Sequence, residues 1–272
     1  MSSNIQITAA QLSRLVGLPG APTIVDVRIP DDVALDPRIL PAADHRSHKN
    51  VADWARGYAG QRVVVVCQRG QKLSEGVAAW LRHEGVEAEN LQGGFEAWRG
   101  AGGLLVSTVK LPSRDTQGRT LWVTRSRPKV DRIACPWLIR RFIDPKAVFL
   151  FVTAAEVPDV ADRFGATPFD IDGIFWSHRG ERCTFDIMIG EFGLASPALD
   201  RLATIVRAAD TARPDIAAEA PGFLAASLGL SRMFKDDLEQ LDAGMLLYDA
   251  FYRWCRDATE ETHNWPSGSK SA

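Results

Sequence analysis

The chain has 272 residues, 46% apolar and 24% charged, and its 32 basic and 34 acidic residues give a formal net charge of −2. That is the composition of a soluble globular protein long enough for two cores, and the charge balance argues against a general nucleic-acid or membrane-surface binder. No apolar run approaches the roughly 18 residues that membrane insertion needs, and the first residues lack the basic and apolar regions of a signal peptide, so the expected location is cytoplasmic.

Ile7 to Leu12 opens with a capping-type threonine, Thr8, ahead of a short amphipathic helix. Thr23 to Arg28 reads as a short apolar strand ending in charge. Pro30 to Ala43, rich in proline and aspartate, reads as a loop. Val51 to Tyr58 reads as a helix. Val63 to Val66 is a β-branched run of the kind found in a buried parallel strand. It ends in Cys67, and a loop through Gly70 leads to a helix over Ser74 to Glu84 with Val77, Trp80 and Leu81 on one face. Ala88 to Leu91 is a further strand, followed by Gly93-Gly94-Phe95-Glu96-Ala97-Trp98. Strands alternating with helical patterns predict an α/β fold: a parallel sheet with flanking helices.

Glycines and prolines crowd the stretch from Gly100 to Gly118, which reads as a connection, with Leu104-Leu105-Val106 able to pack as an edge. The expected division is a first domain over 1–107, a linker over 108–119, a second domain over 120–262 and a disordered tail over 263–272. In the second half, Thr120 to Thr124 and Ala147 to Thr153 read as strands. Asp131 to Ile143 reads as a helix interrupted or started by Pro136. Phe169 to Ile171 and Thr184 to Ile189 are candidate strands around a loop holding His178. From Ser196-Pro197, a good cap and first-turn pair, the pattern is helical. Leu199, Leu202, Ile205 and Val206 share one face there, and Leu241, Met245, Tyr248 and Tyr252 share another. The second half is therefore expected to be an α+β domain ending in helices.

Four cysteines, Cys67, Cys135, Cys183 and Cys255, match neither a disulfide framework nor Cys-x-x-Cys zinc spacing, so the thiols are expected to be reduced. Cys67 ends a strand, where open α/β sheets place their ligands. Backbone N–H groups at the following helix N-terminus, with Arg69 and Lys72 nearby, suit a reactive thiolate. The competing reading is an inert core cysteine.

Residues 5–105 resemble the rhodanese (sulfurtransferase) family through four elements in order. These are Ile24-Val25-Asp26-Val27-Arg28, the turn Leu40-Pro41-Ala42-Ala43-Asp44-His45, the strand and loop Val63 to Gly70, and Leu91-Gln92-Gly93-Gly94 through Trp98. The resemblance implies a thiosulfate-type sulfurtransferase in which Cys67 is catalytic. It would carry sulfur as a persulfide and pass it to cyanide or a thiol acceptor, with no cofactor required. Gln68, Arg69, Gly70, Gln71, Lys72 and Leu73 would form the substrate-binding loop. Asp26 and Arg28 read best as structural, through an ion pair or polar contacts in the turn. Leu73 intervenes between Lys72 and Ser74, which implies a longer loop and a wider anion cradle. Leu73 cannot bind phosphate, which argues against phosphatase activity.

Residues 120–260 resemble the C-terminal domain of ChrB-type chromate-resistance proteins. Trp122-Val123-Thr124-Arg125, the block Val130 to Asp144, Phe169-Asp170, Ser177 to Asp186, Asp210 and Leu247-Tyr248-Asp249 carry the likeness. It implies a role in chromate resistance or its regulation. The residues themselves suggest an anion site for chromate or sulfate at Arg125, Asp131, Arg132 and Arg140, because guanidinium forks match tetrahedral oxyanions. Arg141 reads as a surface partner of an acid. His178 and Cys183, five apart, suit zinc or another transition metal, with Asp186 or Asp210 completing the set. Alternatively His178 only hydrogen-bonds and Cys183 packs. Cys135 and Cys255 read as packing residues, although Cys135 beside Arg132 could be redox-active. The leading expectation is a sulfurtransferase module fused to a chromate-resistance module. A non-catalytic oxyanion or redox sensor, and a metal-dependent enzyme on a small metabolite, are the alternatives.

Overall fold

The computed structural model describes residues 5–261; the tail expected over 263–272 lies outside them. The first half runs β1 (Gln6–Ile7), α1 (Ala9–Ser13), β2 (Thr23–Asp26), α2 (Pro30–Leu35), β3 (Asp44–His45), α3 (Val51–Trp54), β4 (Arg62–Val66), α4 (Lys72–His83), β5 (Glu87–Leu91) and α5 (Gly94–Gly100). Its five strands form one parallel sheet in the order β1-β5-β4-β2-β3. The valine run of β4 is buried on both faces, which is why it shows no polar alternation. Val63 and Val65 face a cluster with Val77 and Leu81 of α4. Val64 and Val66 face a larger core that includes Leu12 of α1 and Phe95 of α5. Thr8 caps α1 through a reciprocal bond pair with Gln11, as its position predicts.

The second half runs β6 (Leu121–Arg125), α6 (Asp131–Leu138), β7 (Val148–Val152), α7 (Val157–Phe164), β8 (Thr167–Pro168), α8 (Thr184–Phe192), α9 (Pro197–Asp210), α10 (Ala220–Met233) and α11 (Asp237–Asp257). Its three strands are also parallel, in the order β7-β6-β8. The larger core continues without a break into this half, through Trp137, Phe142, Phe185, Tyr248 and Tyr252. The halves also share backbone bonds. Ala42 N–H donates to Phe142 O at 2.6 Å, and Ser107 N–H to Phe192 O at 2.8 Å. Val106 pairs with Ile39 as an edge. Within the connection, Arg114 reaches Asp144 at 3.4 Å.

Three expectations need correction. Pro30 to Leu35 is a helix rather than loop: Pro30 opens it and Asp31 and Asp32 lie in its first turn, where they favour the helix dipole. Thr184 to Ile189 belongs to helix α8, not to a strand. Phe185, Ile187, Met188 and Ile189 are all buried, and a run buried on every side has no helical stripe to read. Trp80 does not join Val77 and Leu81 in the core; it is 43% exposed. Pro136 sits inside α6 without ending it, and one wide turn follows over Ile139–Ile143, closed by Asp144 N–H donating to Ile139 O at 2.7 Å. Among the described residues no helix is long and apolar enough to cross a membrane.

Candidate functional site

Cys67 follows β4, the middle strand of the first sheet, and is 5% exposed. Its loop is pinned from the other side by the Gly93-Gly94 turn. Phe95 N–H donates to Cys67 O at 2.9 Å and Glu96 N–H to Gln68 O at 3.1 Å. A Cβ on Gly94, at φ +60°, would stand 2.2 Å from Cys67 O; one on Gly70, at φ +67°, would stand 2.4 Å from Leu91 O. Both positions need a left-handed backbone and a missing side chain together. The sulfur lies 3.1 Å from Ser74 Oγ and 3.8 Å from Gln71 O, so a buried hydroxyl from the first turn of α4 reaches it.

A pocket of about 420 Å³ opens on Cys67, lined by Gln68, Arg69, Gln71, Lys72, Leu73 and Glu96. Arg69 and Lys72 are exposed at its mouth. Glu96 offsets them, holding Gln68 Nε2 at 3.3 Å and Arg69 Nε at 3.5 Å. Leu73 lies within α4, half-buried against the cluster beneath that helix, rather than in the loop, which ends at Gln71. Ser74 and Glu96 were not singled out from sequence; the serine's helical register, seven residues past Cys67, was the available signal. Asp26 and Arg28 form a fully buried ion pair at 2.9 Å, with the guanidinium 3.9 Å over the Phe95 ring. That pair ties the segment before α2 to α5 and is structural.

The second cluster stands at the carboxyl edge of the three-stranded sheet. Asp131 opens α6 and is fully buried. Its carboxylate accepts from Thr184 N–H at 2.6 Å and Phe185 N–H at 3.3 Å, so it caps α8 from outside that helix. Asp170, at φ +52°, follows β8 and accepts from Thr184 Oγ1 at 2.9 Å. His178 Nε2 lies 3.4 Å from Asp131, 3.4 Å from Asp170 and 3.3 Å from Asp210. Contact with these three carboxylates, Asp131 foremost, favours the charged ring and raises the His178 pKa to about 12. Burial, with Asp210 and Asp170 adding repulsion, raises Asp131 to about 6 against the pull of His178. Val130, at φ +30°, immediately precedes α6, and its carbonyl accepts from the buried Tyr248 hydroxyl at 2.6 Å. The turn is held in an uncommon backbone conformation by packing around it.

Of the residues expected to form a basic cradle, Arg125 and Arg132 do meet, at 3.8 and 3.3 Å from Asp170. Arg140 does not join them. It pairs with Asp242 at 2.8 Å, carried away on the wide turn after α6. Asp131, Asp170 and Asp210 stand where an open cationic site was expected, which disfavours an oxyanion there. Cys183 is also separate from His178's ligand set: its thiol lies 3.2 Å from Asp186 Oδ2, and burial raises its pKa. Burial likewise raises the pKa of Cys135, which weakens a redox reading. Arg141 pairs with Asp249 at 2.7 Å, and that acid is mostly buried rather than on the surface. Asp170 carries part of the family likeness but is not among the site residues expected from sequence, because its lone Phe169-Asp170 setting gives no ligand spacing.

Residues 8–101 match the family model of the rhodanese-like domain, and residues 122–255 match that of the ChrB C-terminal domain. The chain joins a rhodanese-like domain to a ChrB C-terminal domain. Over 147 residues it is 39% identical to Protein ChrB of Cupriavidus metallidurans, an alignment covering 52% of this chain and 43% of that protein. The chain thus spans less than half the length of that curated relative. The rhodanese-like domain is similar to two solved structures. A rhodanese-like domain protein from Staphylococcus aureus has 28% identity and TM-score 0.31, covering 34% of this chain and 89% of that one. A rhodanese-related protein from Thermoplasma volcanium has 22% identity and TM-score 0.33, covering 37% and 96%. Cys67 and its loop lie in the rhodanese-like domain, and the Asp131–Asp170–His178 cluster lies in the ChrB C-terminal domain.

Proposed function

We propose that the rhodanese-like domain is a sulfurtransferase that carries sulfane sulfur on Cys67, acting in a cell's resistance to chromate. One observation carries the chemical part. The only cysteine of the first domain directly follows the central strand, opens on a pocket and has Arg69 and Lys72 at the mouth. In the first step the Cys67 thiolate attacks the outer sulfur of thiosulfate. The new S–S bond leaves a Cys67 persulfide, and sulfite departs with the electron pair of the old S–S bond. In the second step cyanide or a thiolate takes the terminal sulfur, giving thiocyanate or a new persulfide and returning the Cys67 thiolate. No cofactor enters either step. Lys72 and Arg69 attract the dianionic donor, and the Ser74 hydroxyl can donate to the sulfur anion. The chromate context rests on the likeness of the second domain to ChrB.

The test is thiosulfate:cyanide turnover with sulfite release measured in parallel. One sulfite per chain before cyanide is added, and none from C67S, is the expected result. Absence of both sulfite release and thiocyanate from wild type with Cys67 alkylatable would overturn the reading.

A further inference from the structure

We propose that Asp131, Asp170 and His178 of the ChrB C-terminal domain hold one divalent transition-metal ion of the zinc class, with Asp210 beside its open coordination position. The ligands come from two places in the chain: Asp131 from the first turn of α6, which follows β6, and Asp170 and His178 from the one connection between β8 and α8. The carboxyl edge of a parallel sheet is where such loops meet.

The distances argue for an ion rather than a hydrogen bond. His178 Nε2 bears at most one hydrogen, yet three carboxylate oxygens lie 3.3–3.4 Å from it. A charge-assisted bond to one of them would shorten to about 2.7–2.9 Å and leave the others. Ligands held at about 2.0–2.1 Å around a tetrahedral ion are themselves about 3.3–3.4 Å apart. The ligand atoms of Asp131, Asp170 and His178 also all lie within 4.8 Å of one another.

The surroundings agree. Asp131 and Asp170 are 0% and 6% exposed; Arg132 and Arg125 stand beside Asp170, whereas among the described residues the ion pairs of the fully buried Asp131 are with His178 alone, so its charge needs a further partner. Both are oriented by outer contacts, Asp131 by the Thr184 and Phe185 N–H groups and Asp170 by Thr184 Oγ1 and Arg132, as metal ligands are. A second, independent observation comes from β6. Thr124 Oγ1 is fully buried and has no hydrogen-bond partner among the described residues. Strand alternation puts Thr124 on the Trp122 face, whose core is shared with α6, and away from the Val123 face under α7. It stands next to Arg125, at the end of the strand from which Asp131's loop departs, an unpartnered polar group directed to the side of the sheet where the ligands gather. One imidazole with two carboxylates and a free fourth position is a donor set suited to zinc.

The full chain, purified without a histidine tag and stripped with a chelator, is titrated with zinc(II) while bound metal and the thermal midpoint are followed. Wild type should bind one ion per chain at this site and melt higher. H178Q and D170N should each weaken uptake by more than about 100-fold, the upper end of outer-shell losses. H178Q keeps all four cysteines, so adventitious thiol binding would survive it. Equal uptake by wild type and H178Q would overturn the site. So would no uptake by wild type, which needs no variant to fold and would make His178 an imidazolium among three acids.

Discussion

Replacing Gly94 with alanine tests whether the glycine turn positions the Cys67 loop. The new Cβ would stand 2.2 Å from Cys67 O and 2.4 Å from Gly70 N, both backbone atoms. Ordinary contact begins at 3.4 Å, so the two segments must separate by about 1 Å. That separation breaks the bonds from Phe95 N–H to Cys67 O and from Glu96 N–H to Gln68 O, each worth about 1 kcal/mol. Holding alanine at φ +60° adds about 1 kcal/mol. The sum, about 3 kcal/mol, is a large part of a domain's stability. Urea unfolding reads it directly. The same 1 Å shift should slow thiocyanate formation by about 100-fold, because that displacement spoils the attack geometry. G76A is the control. Its Cβ meets nothing within 4 Å on helix α4, so it should gain about 0.5–1 kcal/mol and keep its rate. A G94A protein within about 1 kcal/mol of wild type would refute the packing argument. A stable loss with an unchanged rate would separate the loop's structure from its proposed chemistry.

Asp249 gives a second contrast. Its Oδ1 accepts from Trp137 Nε1 and Arg141 Nε, both at 2.8 Å, and Oδ2 accepts from Arg141 Nη2 at 2.7 Å. D249A should lose about 3–5 kcal/mol in urea unfolding, since it strands a mostly buried guanidinium and an indole N–H. D249N keeps an acceptor for Trp137 and should lose less; equal losses would show that charge, not the indole bond, sets the effect. E96Q removes the acid that offsets Arg69 at the pocket mouth. It should lower KM for thiosulfate about threefold at low salt, an effect of about 0.6 kcal/mol that fades as salt rises. A KM that is unchanged at low salt would mean the donor does not enter beside Glu96.

The sequence was legible where the signal is local. Four consecutive valines announce a buried strand, and Thr8 with Gln11 announces a capped helix, because each depends on neighbours within a few residues. Helix α8 was not legible for the opposite reason. Its cap residue is Cys183, outside the usual capping set, and the acid on its first N–H groups is Asp131, far back in the chain. Helix α2 did carry a start signal, proline followed by two aspartates, but the same residues also suit a turn. The Cys67 loop could be found because its strand, glycine and helix are contiguous. The acid–histidine cluster could not be assembled in advance. Its members come from the start of α6, the connection between β8 and α8 and the end of α9, which lie far apart in the chain and are brought together only by the packing of these elements. Arg140 was misplaced because the turn after α6 is wide and carries it towards Asp242.

The core that runs unbroken from Leu12 and Phe95 to Phe142 and Tyr252 bears on heredity as much as on stability. Gly17 lies so close to Phe142 and Tyr252 that a Cβ there would stand 2.5 Å from the one and 2.9 Å from the other. A gene exchange that swapped either half at the connection would bring in a surface never fitted to its new neighbour. A change of shape on one side of this seam therefore calls for a compensating change on the other.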